Sequence, residues 1–114
     1  MTGLQTSKIA LPTGVTLNVQ LGGARGGRPI LLLHGFPESH RTWRAIAPEL
    51  ARDFFVIAPD QRGFGGSDRP DGVEAYRTEK IVADLIALAD ILELKQFTLV
   101  GHDWGGAVAW LAAL

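Results

Sequence analysis

The sequence contains no cysteine. That excludes a disulfide scaffold and thiolate metal sites, and it suits a reducing compartment. Net charge is almost absent too. Eleven basic side chains against twelve acidic ones leave −1 at neutral pH, which removes the electrostatic case for nucleic acid or an anionic membrane as main partner. No apolar run approaches the roughly 20 residues needed to span a bilayer. The nearest is the charge-free stretch Trp104–Leu114. The first residues show no basic patch followed by an apolar stretch, so no signal peptide is read, and a cytoplasmic location is expected. Apolar residues at 46% and charged residues at 20% are ordinary for a folded domain, and 114 residues allow one. The one excess is glycine, 14 of 114 against a usual level of roughly 7%, which points to tight turns and close backbone approaches.

Ile9–Leu11 and Val15–Leu21 read as two strands around the turn Pro12-Thr13-Gly14. The glycine-rich segment Leu21-Gly22-Gly23-Ala24-Arg25-Gly26-Gly27 reads as a flexible connection. Pro29–Leu33 is a continuous aliphatic run, as a strand covered on both faces requires. Trp43, Ile46, Ala47 and Leu50 recur at helical spacing, with Pro48 predicting a kink or break just before it. Phe54–Ala58 is a second buried-type strand, followed by a loop over Pro59–Gly72. Thr78 is placed as the N-cap of a helix to about Leu94, with Ile81, Val82, Leu85, Leu88, Ala89 and Leu92 on its apolar arc and Glu79, Lys80, Asp84 and Asp90 on its polar arc. Phe97–Gly101 is a third buried strand, and a helix starts at Trp104. Strands alternating with helices after a hairpin predict an α/β fold with parallel strands and right-handed crossovers.

In such sheets ligands bind at the carboxyl ends of the parallel strands. Three segments lie there: His34-Gly35-Phe36-Pro37-Glu38, Pro59-Asp60-Gln61-Arg62-Gly63-Phe64-Gly65, and Gly101-His102-Asp103-Trp104-Gly105-Gly106. The last, Gly-x-Asp-x-Gly between a strand and a helix, has the form of a nucleophile elbow, with Asp103 where serine usually stands. Read alone, Asp103 serves equally well as the N-cap of the helix that follows. A carboxylate, with a reference pKa of about 3.9, is ionised at neutral pH and needs no base to become a nucleophile. It suits displacement at an sp³ carbon. The Gly63–Gly66 cluster lacks the spacing and the lysine of a nucleotide-binding loop. Glu38 and Asp60 are read as loop hydrogen-bonding groups.

Together, His34-Gly35-Phe36-Pro37, Asp60-Gln61-Arg62-Gly63-Phe64-Gly65-Gly66-Ser67 and the elbow resemble, in order, three motifs of the α/β-hydrolase family. Phe36-Pro37-Glu38 and Asp103-Trp104-Gly105-Gly106 look most like its epoxide hydrolase branch. The resemblance implies that Asp103 is the nucleophile of an ester intermediate. The backbone amides of Phe36 and Trp104 would form the oxyanion hole, and His34, Gly35, Pro37, Gly101 and Gly105 would support the motif. It implies a cis Phe36–Pro37 bond and a third strand lying between Pro29–Leu33 and a further strand. It also implies that residues 1–114 are part of the core domain of a longer hydrolase. The charge-orienting acid, the water-activating histidine and a tyrosine-bearing cap would lie in the remainder, with the single tyrosine, Tyr76, in the wrong segment for that cap. His34, His40 and His102 are then structural or solvent-facing, and the 114 residues alone are expected to be inactive. The partners expected are an apolar epoxide or haloalkane and water, with no cofactor and no metal.

Two alternatives stay open. A haloalkane or haloacetate dehalogenase would use the same nucleophile. Trp104 suits the haloalkane enzymes, but Phe36 stands where a side-chain donor is usual there, and the haloacetate pattern has arginine at the positions of Trp104 and Ala107. The other is a binding module that keeps the elbow without turnover.

Overall fold

The computed structural model describes residues 3–24 and 26–113. Its elements in chain order are β1 (Gln5–Ala10), β2 (Thr16–Gly23), β3 (Arg28–Leu33), a 3-10 turn (His40–Trp43), α1 (Ala47–Leu50), β4 (Phe54–Pro59), a second 3-10 turn (Val73–Tyr76), α2 (Thr78–Ile91), β5 (Thr98–Gly101) and α3 (Trp104–Ala113). They form one mixed sheet in the order β1-β2-β4-β3-β5. The first two pairings are antiparallel, and β3 runs parallel to both β4 and β5.

The aliphatic runs take the central positions because both of their faces are covered. Leu31, Leu32, Leu33, Val56, Ile57 and Ala58 are at most 1% exposed. Alternate residues feed two cores, as the two-residue period of a strand dictates. Leu31, Leu33 and Ile57 pack with Leu85 and Leu88 of α2 and Val108 of α3, while Ile30, Leu32, Val56 and Ala58 pack with Trp43 and Ala47 on the other face. The break before Pro48 is present: Pro48 stands in the first turn of α1, where its missing N–H costs nothing. The hairpin turn closes through Leu11 N–H to Val15 O at 2.8 Å.

Five sequence expectations need correction. The segment from Leu21 is no loose connection, because β2 continues through Gly22 and Gly23, paired with Val56 and Phe55. Both glycines have positive φ, and a Cβ on either would overlap backbone carbonyl oxygens, of Gly3 and of Phe54. Thr78 is the first helical residue, and Arg77, which caps with no side-chain hydrogen bond, precedes it. Helix α2 stops at Ile91 rather than Leu94 because Glu93 turns left-handed (φ 58°), with Glu93 N–H on Asp90 O at 3.0 Å and Leu94 N–H on Ala89 O at 2.9 Å, a Schellman ending. Asp84 does not face solvent; it is 3% exposed and paired. Strand β5 lies beside β3 as expected, but it is not buried: Thr98 and Gly101 are exposed and Leu99 and Val100 only half-buried, since among the described residues its other edge is unpaired.

Candidate active site

The carboxyl ends of β3, β4 and β5 deliver the three motif segments to one place. His102 N–H binds Leu33 O at 3.0 Å, which carries the β3–β5 pairing one residue past the strand. The chain then turns at Asp103 with φ 58° and enters α3 at Trp104. A left-handed aspartate between strand and helix is a strained backbone held by its surroundings. The glycines explain how the turn fits. A Cβ on Gly105 would overlap the carbonyl oxygens of Leu33 and His34, and one on Gly101 would overlap the Gly105 backbone. Close packing of α3 against the end of β3 therefore lifts the Asp103 side chain clear of the sheet. Its carboxylate does not face away from the first motif. Phe36 N–H donates to Asp103 Oδ2 at 3.3 Å across 67 positions.

The first motif is a turn from Gly35 to Glu38, closed by Glu38 N–H to Gly35 O at 2.9 Å and containing the cis Phe36–Pro37 bond. Gly35 is glycine because a Cβ would press on the Asp103 side chain at 2.6 Å. Glu38 accepts from Gly35 N–H at 3.0 Å, as a loop hydrogen-bonding group, and lies 3.5 Å from His102 Nδ1. Trp104 opens α3, so its N–H has no carbonyl four residues back inside the helix and faces the same end as Asp103.

The second motif is held by buried polar groups. Asp60 is fully buried and accepts from His40 N–H and Nδ1, both at 2.7 Å, from Gly66 N–H at 2.9 Å and from Asn18 Nδ2 at 3.0 Å. Burial alone would raise its carboxyl; these donors outweigh it and hold the group below its ordinary value. His34 is 1% exposed. Burial pushes its imidazole below the ordinary value, against opposing effects of the Gly35 carbonyl and of the Asp60 and Glu38 charges. His34 and His40 thus have structural contacts, and His102 is exposed.

An open cavity of about 260 Å³ adjoins the elbow, with Phe36, Phe64, Tyr76, Ile81, Trp104 and Val108 on its walls. Phe36 and Trp104 are 61% and 64% exposed there, large apolar surfaces beside a carboxylate. Two contributors escaped the sequence reading. Tyr76 lies against Gly63, which has φ 89° and no room for a Cβ there. Gln61 donates from its backbone to His34 Nε2 at 2.9 Å and from its side chain to His34 O at 2.8 Å. Its position directly after Asp60, at the end of β4, is the only signal the sequence offered. Among the described residues no group of three or more His, Cys, Asp or Glu could hold a metal ion.

Known proteins are similar to this chain in sequence and in fold. Epoxide hydrolase A of Mycobacterium tuberculosis is 43% identical over 113 residues, 98% of this chain and 35% of that protein. Epoxide hydrolase 4 of Mus musculus is 40% identical over 102 residues, 90% of this chain and 28% of that protein. The crystal structure of Epoxide Hydrolase A from Mycobacterium thermoresistibile superposes with a TM-score of 0.92 at 40% identity, over 97% of this chain and 35% of that one. The chain thus spans about a third of the length of the relatives it matches. Residues 28–114 match the family model described as alpha/beta hydrolase fold, and the chain belongs to that family.

Proposed function

We propose that the whole protein carrying this chain opens an apolar epoxide to a vicinal diol, with Asp103 as nucleophile. The observation that carries this reading is the left-handed Asp103 at the elbow, its carboxylate within reach of the Phe36 amide. The names of the relatives support the same activity. A carboxylate oxygen bonds an epoxide carbon as the carbon–oxygen bond of the ring breaks, and the freed alkoxide takes a proton from outside this chain. Water, deprotonated by a base also outside it, then adds to the ester carbonyl. The oxyanion so formed sits on Asp103 itself, next to the Phe36 amide and the Trp104 amide, where fixed donors lower its energy. Collapse expels the diol and regenerates the carboxylate. The apolar cavity walls suit an apolar substrate, and a cytoplasmic setting belongs to the same reading, on the absence of cysteine.

The bond-making sequence is tested by one turnover in ¹⁸O-water, with styrene oxide as probe. The mechanism puts the label into the Asp103 carboxylate and leaves the first diol unlabelled. Label found only in the diol means that water attacked the epoxide directly and removes Asp103 as nucleophile. Halide release from a chloroalkane in place of diol formation moves the assignment to a dehalogenase, and an Asp103→Asn protein that still forms a covalent adduct refutes both.

A further inference from the structure

The peptide unit joining Gly35 to Phe36 carries the oxyanion donor on its nitrogen side, and its carbonyl side is not free. Gly35 O accepts from Glu38 N–H at 2.9 Å and lies 2.8 Å from His34 Nδ1. The other ring nitrogen, Nε2, lies 2.9 Å from Gln61 N. These two partners fix the protons without ambiguity. A backbone N–H only donates, so Nε2 must present its lone pair; a carbonyl only accepts, so Nδ1 must carry the hydrogen. His34 is therefore a neutral imidazole with a single tautomer. In a trans peptide the C=O and N–H point in opposite directions. A donor that grips the Gly35 carbonyl therefore aims the Phe36 N–H away from itself, and that N–H meets Asp103 Oδ2.

Of the two donors on Gly35 O, Glu38 N–H belongs to the same turn and moves with it. The imidazole does not. It is buried at the end of β3, pinned by Gln61 at the end of β4, and packed edge-on against Phe64 with ring centres 5.4 Å apart. We propose that His34 is a positioning residue of the oxyanion hole: its Nδ1–H ties the Gly35–Phe36 peptide plane to the sheet and so aims the Phe36 amide at Asp103. This rests on the nucleophile reading above. The consequence is step-selective. Attack of the carboxylate on the epoxide develops no charge at the Phe36 amide, whereas hydrolysis of the ester places an oxyanion beside it. Loosening the peptide plane should slow the second step and spare the first.

Two substitutions separate the ring's two contacts. His34→Asn keeps a side-chain NH₂ near the Nδ1 position and can still donate to Gly35 O, while giving up the Gln61 contact. His34→Gln reaches the Nε2 position instead and gives up the grip on Gly35. In rapid-quench mass spectrometry of the whole protein with styrene oxide, His34→Gln should slow ester hydrolysis at least tenfold, with ester formation within about threefold of wild type. Asp103 ester should then accumulate. His34→Asn should stay within about threefold in both steps. Equal slowing in both variants, a parallel fall of formation and hydrolysis, or no change in His34→Gln overturns the proposal and leaves the nucleophile standing. Absence of any Asp103 ester in the wild type overturns the nucleophile and the proposal with it. The wild-type protein gives an answer that depends on no variant folding. Histidine labelled with ¹⁵N should report His34 at pH 7 as the Nδ1–H tautomer; an Nε2–H or doubly protonated ring refutes the proposal.

Discussion

Arg62 and Asp84 share two parallel hydrogen bonds, Nε to Oδ2 at 2.6 Å and Nη2 to Oδ1 at 2.7 Å, with both side chains about 5% exposed. Thr13 Oγ1 adds a third bond to Asp84 at 2.7 Å, and Arg62 Nη1 reaches Ala75 O at 2.7 Å. The pair thus binds the β1–β2 turn, the loop after β4, the turn before α2 and α2 itself. Asp84 raises the Arg62 guanidinium further above its ordinary value. Removing one partner leaves the other charge buried without compensation. Asp84→Ala should therefore cost the whole protein about 3–5 kcal/mol in urea unfolding, while the apolar pair Arg62→Met with Asp84→Leu costs clearly less than the single change. A double variant as unstable as Asp84→Ala would contradict this account.

Adjacent glycines of α3 should respond in opposite directions. A methyl at Gly105 has no room against the ends of β3, so Gly105→Ala should lose at least about 1–3 kcal/mol and displace Asp103, lowering activity as well. At Gly106 the nearest atom to an added Cβ is 3.6 Å away, ordinary contact. Gly106→Ala should gain about 0.5–1 kcal/mol from helix propensity. Thermal melts of the two variants check the pair.

The left-handed Glu93 makes a cheaper stabilisation available. Its conformation ends α2 in a Schellman motif where glycine carries no Cβ penalty. Glu93→Gly should raise stability by about 0.5–1 kcal/mol, measured by the shift in urea midpoint at unchanged slope.

Acid should act in two stages, with opposite kinds of group behind them. His34 titrates below its ordinary 6.5 in the folded protein, so just under that pH the unfolded chain binds more protons and stability falls with falling pH until the folded group also titrates. Its charged neighbours Asp60, Glu38 and His40 are all included in that balance. Asp60 titrates below 3.8, so its contribution is complete above that value and is lost as pH falls through the folded one. Urea midpoints should therefore begin to decline as pH falls below about 6.5, and His34→Asn should flatten this part of the curve but not the later acid loss.

Residues 1–114 expressed alone should self-associate and form no diol. Strand β5 has one unpaired edge among the described residues, and Trp110 and Leu111 of α3 are 74% and 46% exposed. Sedimentation and a diol assay decide the two halves separately.

The order of elements and the three strand-end segments were legible because continuous aliphatic runs and flanking glycines are local signals. Glycines 22 and 23 misled for a physical reason. The sequence shows that a Cβ is missing, but not whether a turn or a neighbouring backbone, here Gly3 O and Phe54 O, forbids it. Asp84 misled in a related way, since its partners Arg62 and Thr13 are 22 and 71 positions away. The imidazole contacts of His34 were equally invisible, because Gln61 meets it only once β3 and β4 are paired.

The adjacency of β3 and β5 has a consequence for protein engineering. The Gly35–Glu38 turn and the elbow hang from the ends of two strands in direct register, Leu33 opposite Gly101, so their spacing is set by the sheet and not by the long intervening sequence. Two short segments, residues 34–39 and 101–106, are therefore a transplantable pair. Any scaffold with two neighbouring parallel strands and room for a helix after the second could receive them, provided that it also supplies a buried donor behind the first.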